Sequence, residues 1–278
     1  MRVPESRRQD RAAITPSLPS RGSAERAGRR QPGATLAAIA LDPIAWLGAV
    51  FVALLLGMPG LAPLFAWAFP EVSPPVFARD SFVALWLSHA AIVGAAMVAA
   101  SALAIGLAVF VTRPAGRDFR PIVAALATIG QTFPPAAVLA LAVPALGFGP
   151  RPTIVALFLY GLLPIVENTL AGLATVPAAV REAAEGIGLA PWQVLRQVEL
   201  PLAFPAMLAG IRVSVTIAIG TATIGSTVGA LTLGTPIFDG LAGNKLPFVI
   251  QGAVLVALFA ILADMLFARL ERRLRRPG

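Results

Sequence analysis

The sequence predicts an all-α polytopic membrane protein with about six transmembrane helices. Its 278 residues are 57% hydrophobic and only 13% charged, and the mean hydropathy of +0.80 is too high for a soluble globule. Long apolar blocks alternate with short segments rich in Arg, Gly and Pro. A helix needs about 20 apolar residues to cross a hydrocarbon core, so these blocks are long enough to be spans. We therefore expect one membrane domain over residues 36–268.

The scarcity of Cys and His limits the kinds of chemistry that this chain can perform. The chain has no Cys and one His, which excludes disulfides and thiolate metal sites, and neither a metal nor a cofactor is expected in it. A net charge of +8 would indicate nucleic-acid binding in a soluble protein. Here the Arg residues cluster at the ends of apolar blocks, where they set orientation in the membrane. The expected partner is a lipid bilayer and not a nucleic acid.

Residues 1–35 predict a disordered basic cytoplasmic tail, because they carry too few large apolar side chains to offset the entropy of ordering. Arg7-Arg8 and Arg29-Arg30 resemble a twin-Arg export signal, but the apolar stretch that follows is long and lacks a clear cleavage site. We expect an uncleaved first helix.

Six apolar blocks are predicted spans. They lie at residues 44–69, 82–111, 122–146, 153–176, 201–230 and 247–267. The first is interrupted at residues 57–60, which are expected to end or kink it. His89, near the outer end of the second, is interpreted as a satisfied interfacial histidine in preference to a proton carrier. Residues 269–278 are expected to form a basic cytoplasmic C-terminus.

Proline residues interrupt two of these spans. Pro134 and Pro135 lie in the middle of the third, and Pro164 lies in the fourth. Each lacks an N–H and therefore frees a carbonyl four residues earlier, which for Pro164 is that of Tyr160. Broken backbone at membrane depth is normally shielded from lipid, so these sites should face protein or a cavity.

The distribution of positive charge predicts the orientation. If the mostly polar stretch at residues 181–201 is cytoplasmic, six spans place both termini on the same side. Eighteen of the 22 Lys and Arg residues then lie inside and three outside, with Arg212 within a span. The positive-inside rule gives this topology independently.

The most informative stretch lies between the fourth and fifth spans. Residues 181–201 read REAAEGIGLAPWQVLRQVELP. Good helix formers begin it, whereas Gly186 and Gly188 each weaken a helix by about 1 kcal/mol, so a break is expected near Gly188. After Pro191 a mixture of apolar and polar residues predicts a second helix at the membrane interface. Pro201 is then expected to begin the next membrane helix.

The spacing of six residues in this stretch carries a family resemblance. They are Glu182, Ala183, Ala184, Gly188, Leu200 and Pro201. The stretch resembles the cytoplasmic loop of type I ABC importer permeases, which reads E-A-A, three residues, G, nine residues, I, one residue, L-P; Val198 replaces the Ile. The resemblance implies the type I ABC importer fold, a coupling stretch at residues 177–201 and a coupling helix at about residues 181–190. That helix would dock on a separate ATPase subunit, with Glu182 near its start and Gly188 permitting its turn.

This chain is expected to be a non-catalytic subunit. Its only Lys, Lys245, precedes Leu246, so no GxxxxGK[ST] loop is present, and ATP and Mg²⁺ are expected on a partner ATPase. The resemblance implies a complex in the cell inner membrane, built from two permease chains, two ATPase chains and a separate extracytoplasmic binding protein.

Further segments carry a narrower resemblance. They are QTFP at 131–134, ALFLYGLLPIV at 156–166 with Asn168-Thr169, VELPL at 198–202, AGIR at 209–212 and IGTAT at 219–223. They resemble the osmoprotectant permeases for glycine betaine, choline or carnitine, which implies a small quaternary amine as substrate. That subfamily often has Arg where Glu167 stands and Gly-Gly-Leu-Gly where LTLG stands at 231–234. Another small solute, such as an amino acid, is the alternative.

Two other classes of membrane protein fit the sequence less well. An ion-coupled secondary transporter would use intramembrane ionisable residues, for which Glu167 and Arg212 qualify weakly, but it would leave the coupling stretch unexplained. A membrane enzyme would need a constellation of catalytic groups that one His and no Cys make hard to assemble.

A polar stripe on the fifth span indicates either a translocation pathway or a packing surface. Its members, Arg212, Thr216, Gly220, Thr223 and Thr227, recur every three or four residues. Small and hydroxylated residues also let membrane helices approach closely, so both explanations stand. Equal depth in the fourth and fifth spans predicts an ion pair between Glu167 and Arg212. The predicted pathway residues are Gln131, Tyr160, Glu167, Asn168, Arg212, Thr216 and Thr223.

Overall fold

The computed structural model describes residues 42–274, and within that range every regular element is helical. The α-helices are α1 Pro43–Gly57, α2 Ala62–Ala68, α3 Phe82–Thr112, α4 Arg120–Thr132, α5 Pro135–Leu146, α6 Pro150–Ala174, α7 Ala178–Gly186, α8 Pro191–Val194, α9 Leu200–Ala222, α10 Thr235–Ala242 and α11 Leu246–Leu274. Shorter turns are the 3₁₀ segments Met58–Leu61, Arg117–Phe119 and Thr223–Val228 and the π-helical segment Leu195–Glu199. The predicted tail at residues 1–35 lies outside the described part of the chain.

Helix α6 lies at the centre of the bundle, packed between α3 and α9, with α4 and α5 against it and α11 on the far side of α9. Glycines permit the close approaches. A Cβ at Gly161 would lie 2.7 Å from Met97 of α3, and a Cβ at Gly210 of α9 would lie 2.7 Å from the carbonyl oxygen of Pro164. Small residues at helix contacts are the usual solution where lipid removes the hydrophobic driving force between helices.

Within residues 42–274, five continuous helices are long and apolar enough to cross a membrane, and α4 with α5 forms a sixth if that bent pair counts as one span. The predicted fold class is therefore confirmed. The first span runs through the turn at Met58–Leu61 as Pro43–Ala68, so the interruption at residues 57–60 does not end it. Helices α4 and α5 are bent by 95° at the predicted proline break.

The fifth span begins earlier than the sequence indicated. One continuous helical stretch covers Pro191–Val228, so the prediction that Pro201 begins the membrane helix is wrong. Pro201 follows the π-helical turn, where the N–H of Leu200 bonds to the carbonyl of Leu195 five residues earlier. That wider turn accommodates a residue that cannot donate a hydrogen bond, and the helix continues through it. Helix α11 likewise extends to Leu274, into the predicted C-terminal segment.

His89 is a buried crosslink between helices. Its side chain is fully buried, and Nε2 lies 3.0 Å from the carbonyl oxygen of Ile219. Nδ1 accepts a hydrogen bond of 3.2 Å from the N–H of Leu233, so Nε2 carries the proton. The expectation of a satisfied histidine is confirmed, and the ring packs inside the bundle. Its depth at the membrane interface stays a prediction.

Candidate functional site

The coupling stretch forms a short helix that ends in a glycine turn. Helix α7 covers Ala178–Gly186, and Gly188 has a φ of +89°, in the left-handed region. The N–H of Gly188 bonds to the carbonyl of Glu185, and the N–H of Leu189 bonds to that of Ala184. This pair of bonds is the Schellman arrangement, which favours glycine at the left-handed position. The predicted break near Gly188 is confirmed.

The position of Glu182 within this helix differs from the prediction. Helix α7 begins at Ala178, so Glu182 is its fifth residue and not near its start. Glu182 and Ala183 are exposed, whereas Ala184 is buried against the body of the protein. The helix starts earlier because Pro177, in extended conformation, provides a fixed entry before two alanines.

Large apolar side chains are exposed on the coupling stretch. Ile187 is 80% exposed and Trp192 is 60% exposed, and both lie in segments between the predicted fourth and fifth spans. Val180 on α7 is also exposed. Apolar residues clustered beside an exposed amphipathic helix are typical of a surface that receives another protein.

A buried carboxylate joins this stretch to the membrane helices. Glu199 is only 6% exposed, and its Oε2 accepts a hydrogen bond of 2.5 Å from Nη2 of Arg113, the residue that follows α3. Nε of Arg181 on α7 lies 2.9 Å from Oε1 of Glu199 as an ion pair, without the alignment of a hydrogen bond. Nη2 of Arg181 donates to the carbonyl oxygen of Leu173 at the end of α6. Glu199 itself therefore joins the end of α3 and helix α7 to its own π-helical segment, and Arg181 extends the link to the end of α6.

Sequence analysis did not identify Glu199 as a functional residue. The available signal was its position between two predicted helices, next to the Leu200-Pro201 pair that marks the family's loop. A Glu beside a membrane interface, with several Arg residues nearby in other loops, predicts an ion pair but does not say which Arg it will be.

Gln131 and Tyr160 come together at the break between α4 and α5. Nε2 of Gln131 donates a hydrogen bond of 2.8 Å to the carbonyl oxygen of Tyr160, which is the carbonyl that Pro164 deprives of its helical partner. The hydroxyl of Tyr160 donates in return to the carbonyl oxygen of Phe133 at the break. A side chain of α4 thus satisfies a free carbonyl of α6, and a side chain of α6 satisfies a free carbonyl at the break, as backbone at membrane depth requires.

The predicted ion pair between Glu167 and Arg212 is wrong. Nε and Nη2 of Arg212 donate to the two carboxylate oxygens of Asp264 on α11, at 2.6 and 2.8 Å, and Nη1 lies 3.5 Å from Glu271. Depth along two helices was the basis of the prediction, and depth does not determine which face a side chain occupies. Glu167 is exposed and has no ion pair or hydrogen bond within residues 42–274.

The other predicted pathway residues bond locally. Nδ2 of Asn168 donates to the carbonyl of Pro164 within α6, at 2.8 Å. The hydroxyls of Thr216 and Thr223 donate to carbonyls of their own helical segments, at 2.9 and 2.7 Å. A Cβ added at Gly220, between them, would meet nothing within 4 Å. Within the described residues this face of α9 is therefore open at Gly220, whereas Thr216 and Thr223 are half-buried.

Hydrogen bonds and ion pairs hold the described residues of the site in position. Within residues 42–274, no cluster of three or more His, Asp or Glu residues could hold a metal ion. The arrangement consists of the exposed helix α7, an acidic group that pairs with Arg113 and Arg181, and a hydroxyl-bearing face of α9 that is open at Gly220.

Comparisons with known proteins agree with this geometry. A profile of the family described as "Binding-protein-dependent transport system inner membrane component" matches residues 104–276. The chain is 48% identical over 186 residues to the osmoprotectant import permease protein OsmY of Salmonella typhimurium, covering 67% of this chain and 79% of that protein. It is 41% identical over 179 residues to the carnitine transport permease protein OpuCD of Listeria monocytogenes, covering 64% and 79%.

A solved structure is similar in fold. A chain of the MetNI methionine ABC transporter in an inward-facing conformation matches with a TM-score of 0.62 at 23% identity, over 68% of this chain and 94% of that one. At this identity the likeness concerns the arrangement of helices.

Proposed function

The chain belongs to the family of binding-protein-dependent transport system inner membrane components, and on that premise we propose that its complex imports a small quaternary-amine osmoprotectant. The chain is a multi-pass inner-membrane permease. Relatives that are 48% and 41% identical carry the names of an osmoprotectant and a carnitine permease, which supports the substrate class. In this proposal ATP is hydrolysed by a separate partner chain and both termini are cytoplasmic.

Helix α7 is proposed to dock on that ATPase. The main support for docking is the exposure of the coupling stretch. Ile187 and Trp192 present apolar surface there, while Glu199 anchors the stretch to the bundle. A helix held this way transmits a push from the partner to α3, α6 and α9 together. ATP and Mg²⁺ would be bound by the partner alone.

The translocation pathway is proposed to follow the face of α9 that includes Thr216 and Gly220, opposite a second permease chain. Thr216 and Thr223 lie on this face, and the polar residues Gln131 and Tyr160 brace the bent α4–α5 pair. The aromatic residues of this chain include one Tyr and four Trp, and ammonium recognition by aromatic cages is proposed to lie in the separate binding protein.

Binding and uptake test the substrate class. The cognate binding protein is titrated with glycine betaine, choline, carnitine and a panel of amino acids, and the full complex is reconstituted in vesicles with ATP. We expect the quaternary amines to bind and to accumulate only when ATP is hydrolysed. Tight binding of an amino acid with none of the amines bound, or uptake that persists without the ATPase, would reject the proposal.

Cysteine accessibility tests the pathway. Because the native chain has no Cys, a single Thr223→Cys substitution gives a clean probe. It should react with a water-soluble thiol reagent in at least one transport state, whereas Ala222→Cys, at a fully buried position, should stay inert. Equal inertness of both probes in every state would assign the α9 face to packing against a partner.

A further inference from the structure

A basic cavity of about 300 Å³ lies where α3 and α6 meet the coupling stretch. Its charged lining consists of four arginines and one acid, Arg113, Arg117, Arg120, Arg181 and Glu199. Glu199 is shared by Arg113 and Arg181, and the Nε atoms of these two arginines are buried without a hydrogen bond. The cavity therefore keeps an excess of positive charge beyond the ion pairs already described.

Arg117 and Arg120 carry that excess. Both are exposed, and neither has an ion pair or hydrogen bond within residues 42–274. Arg117 begins the short 3₁₀ turn and Arg120 is the first residue of α4. Both are close in the chain to the exposed apolar residues Phe119 and Ile122. Two guanidinium groups beside exposed apolar residues have the chemistry that binds the phosphate of a lipid headgroup.

An apolar groove of about 390 Å³ lies next to this cavity along the helices α3, α4 and α6. Its lining residues are Leu103, Leu107, Val123, Leu126, Ala127, Ile129, Gly130, Phe133, Val138, Leu159, Leu162 and Val166. None of them carries a polar side chain.

The groove and the basic cavity are consecutive along each helix. On α3 the groove residue Leu107 is one helical turn from Val111 of the cavity, and on α6 Val166 is one turn from Leu170. On α4, Val123 of the groove is one turn from Arg120 of the cavity. From Leu103 to Val111 the stripe extends about 12 Å at 1.5 Å per residue, which is within the depth of one leaflet of a 30 Å core.

We propose that the basic cavity and the apolar groove together bind one anionic glycerophospholipid. The phosphate lies against Arg117 and Arg120, and an acyl chain lies in the groove between α3, α4 and α6. Guanidinium groups bind phosphate oxygens through paired, charge-assisted hydrogen bonds, and the groove removes the chain from the bulk bilayer. The lipid would then contact Arg113 and Arg181, the two arginines that hold Glu199, at the base of the coupling stretch.

Native mass spectrometry of the complete transporter tests this directly. The delipidated complex is titrated with phosphatidylglycerol, and the Arg117→Ala/Arg120→Ala double variant is compared with the wild type. We expect about 30-fold weaker binding in the variant, because each basic residue near an anionic headgroup contributes about fivefold. Neither arginine side chain makes an ion pair or a hydrogen bond within residues 42–274, so assembly with the ATPase should be unchanged and is checked by co-purification.

A matched variant separates this site from general surface charge. Arg272→Ala/Arg273→Ala removes the same charge from the exposed end of α11, which lies outside the cavity. We expect wild-type phosphatidylglycerol binding in this control. An equal loss in the two double variants, or no loss in either, would overturn the proposal.

Two further arms test the groove. Leu103→Trp narrows it from a partly exposed position and should weaken lipid binding, while inorganic phosphate should fail to compete with the lipid. Competition by phosphate at similar concentration, or full binding in Leu103→Trp, would identify a free-anion site and reject the lipid. A disulfide between two copies of a Leu126→Cys variant in the intact membrane would show that a second permease chain covers the groove, and would also reject it.

Discussion

Two ion-pair clusters in this permease have opposite composition. At the coupling stretch, one acid, Glu199, lies between two arginines, and between α9 and α11 one base, Arg212, lies between two acids. The first joins segments that are far apart in the chain and includes the helix proposed to dock. The second joins two neighbouring spans along their length. If α7 docks as proposed, the first cluster would transmit movement, whereas the second would hold two spans rigidly together.

The largest effect is expected from Glu199→Gln, which leaves Arg113 and Arg181 without their shared anion. Loss of one partner of a buried ion pair costs about 3 kcal/mol at the lower end of its range, which applies because both arginines are partly exposed. Thermal unfolding of the purified complex should shift downward, and transport per ATP hydrolysed should fall. Glu185→Gln, at an exposed position on α7, is the control and should match the wild type. An unchanged ratio of transport to hydrolysis in Glu199→Gln would remove its role in transmission.

A smaller effect is expected from Asp264→Asn, which breaks the second cluster. We expect a loss of about 2 kcal/mol, below the roughly 3 kcal/mol of an unpaired Arg inside a span, because Glu271 remains 3.5 Å from Arg212. Stability should fall while transport per ATP stays near the wild-type value. The charge-swapped double variant Arg212→Asp/Asp264→Arg should recover part of the stability, whereas Glu167→Gln should change it little. Strict additivity of the two single changes would contradict the pair.

Gly188→Ala tests the glycine turn at the end of α7, the helix that is proposed to dock on the ATPase. An L residue at a φ of +89° is strained by about 1.5 kcal/mol. Co-purification with the ATPase, or the ratio of transport to hydrolysis, should decrease while membrane insertion is retained. The control Gly186→Ala lies in helical conformation with open space around its Cβ, so it should retain wild-type co-purification and coupling and stabilise α7 by up to about 1 kcal/mol. Equal behaviour of the two variants would reject a conformational role for Gly188.

The smallest effect is expected at the break between α4 and α5. Gln131→Leu removes the donor to the Tyr160 carbonyl, at a cost of about 1 kcal/mol. A double-mutant cycle with Tyr160→Phe, measured by thermal unfolding, should show coupling, because the two bonds brace the same bend. Independent effects would mean that each bond stabilises its own helix only.

The fold and the coupling stretch could be predicted because their signals are local. Apolar block length, proline positions and the Glu182 to Pro201 spacing each depend on a short window of sequence, and the break at Gly188 follows from glycine's access to the left-handed region. The helix was nevertheless placed three residues late, since the alanines before Arg181 carry no polar signal.

The ion pairs could not be predicted in the same way. The partners of Arg212 and Glu199 lie 52 and 86 residues away in the chain, on helices whose rotation is set by packing. Equal depth made Glu167 a reasonable partner for Arg212, but the side of α6 on which it lies follows from the close glycine contacts with α3 and α9. Side-chain pairing of this kind becomes visible only when helix rotation is known.

The continuous helical stretch Pro191–Val228 has a mechanical consequence. Its 38 residues make a rod about 57 Å long at 1.5 Å per residue, which begins beside the docking helix and ends at the far side of the bundle. A tilt of about 5° with the near end as fulcrum would move the far end by about 5 Å, comparable with one helical turn. A small rotation imposed on the end beside α7 would therefore become a displacement at the opposite end of the helix.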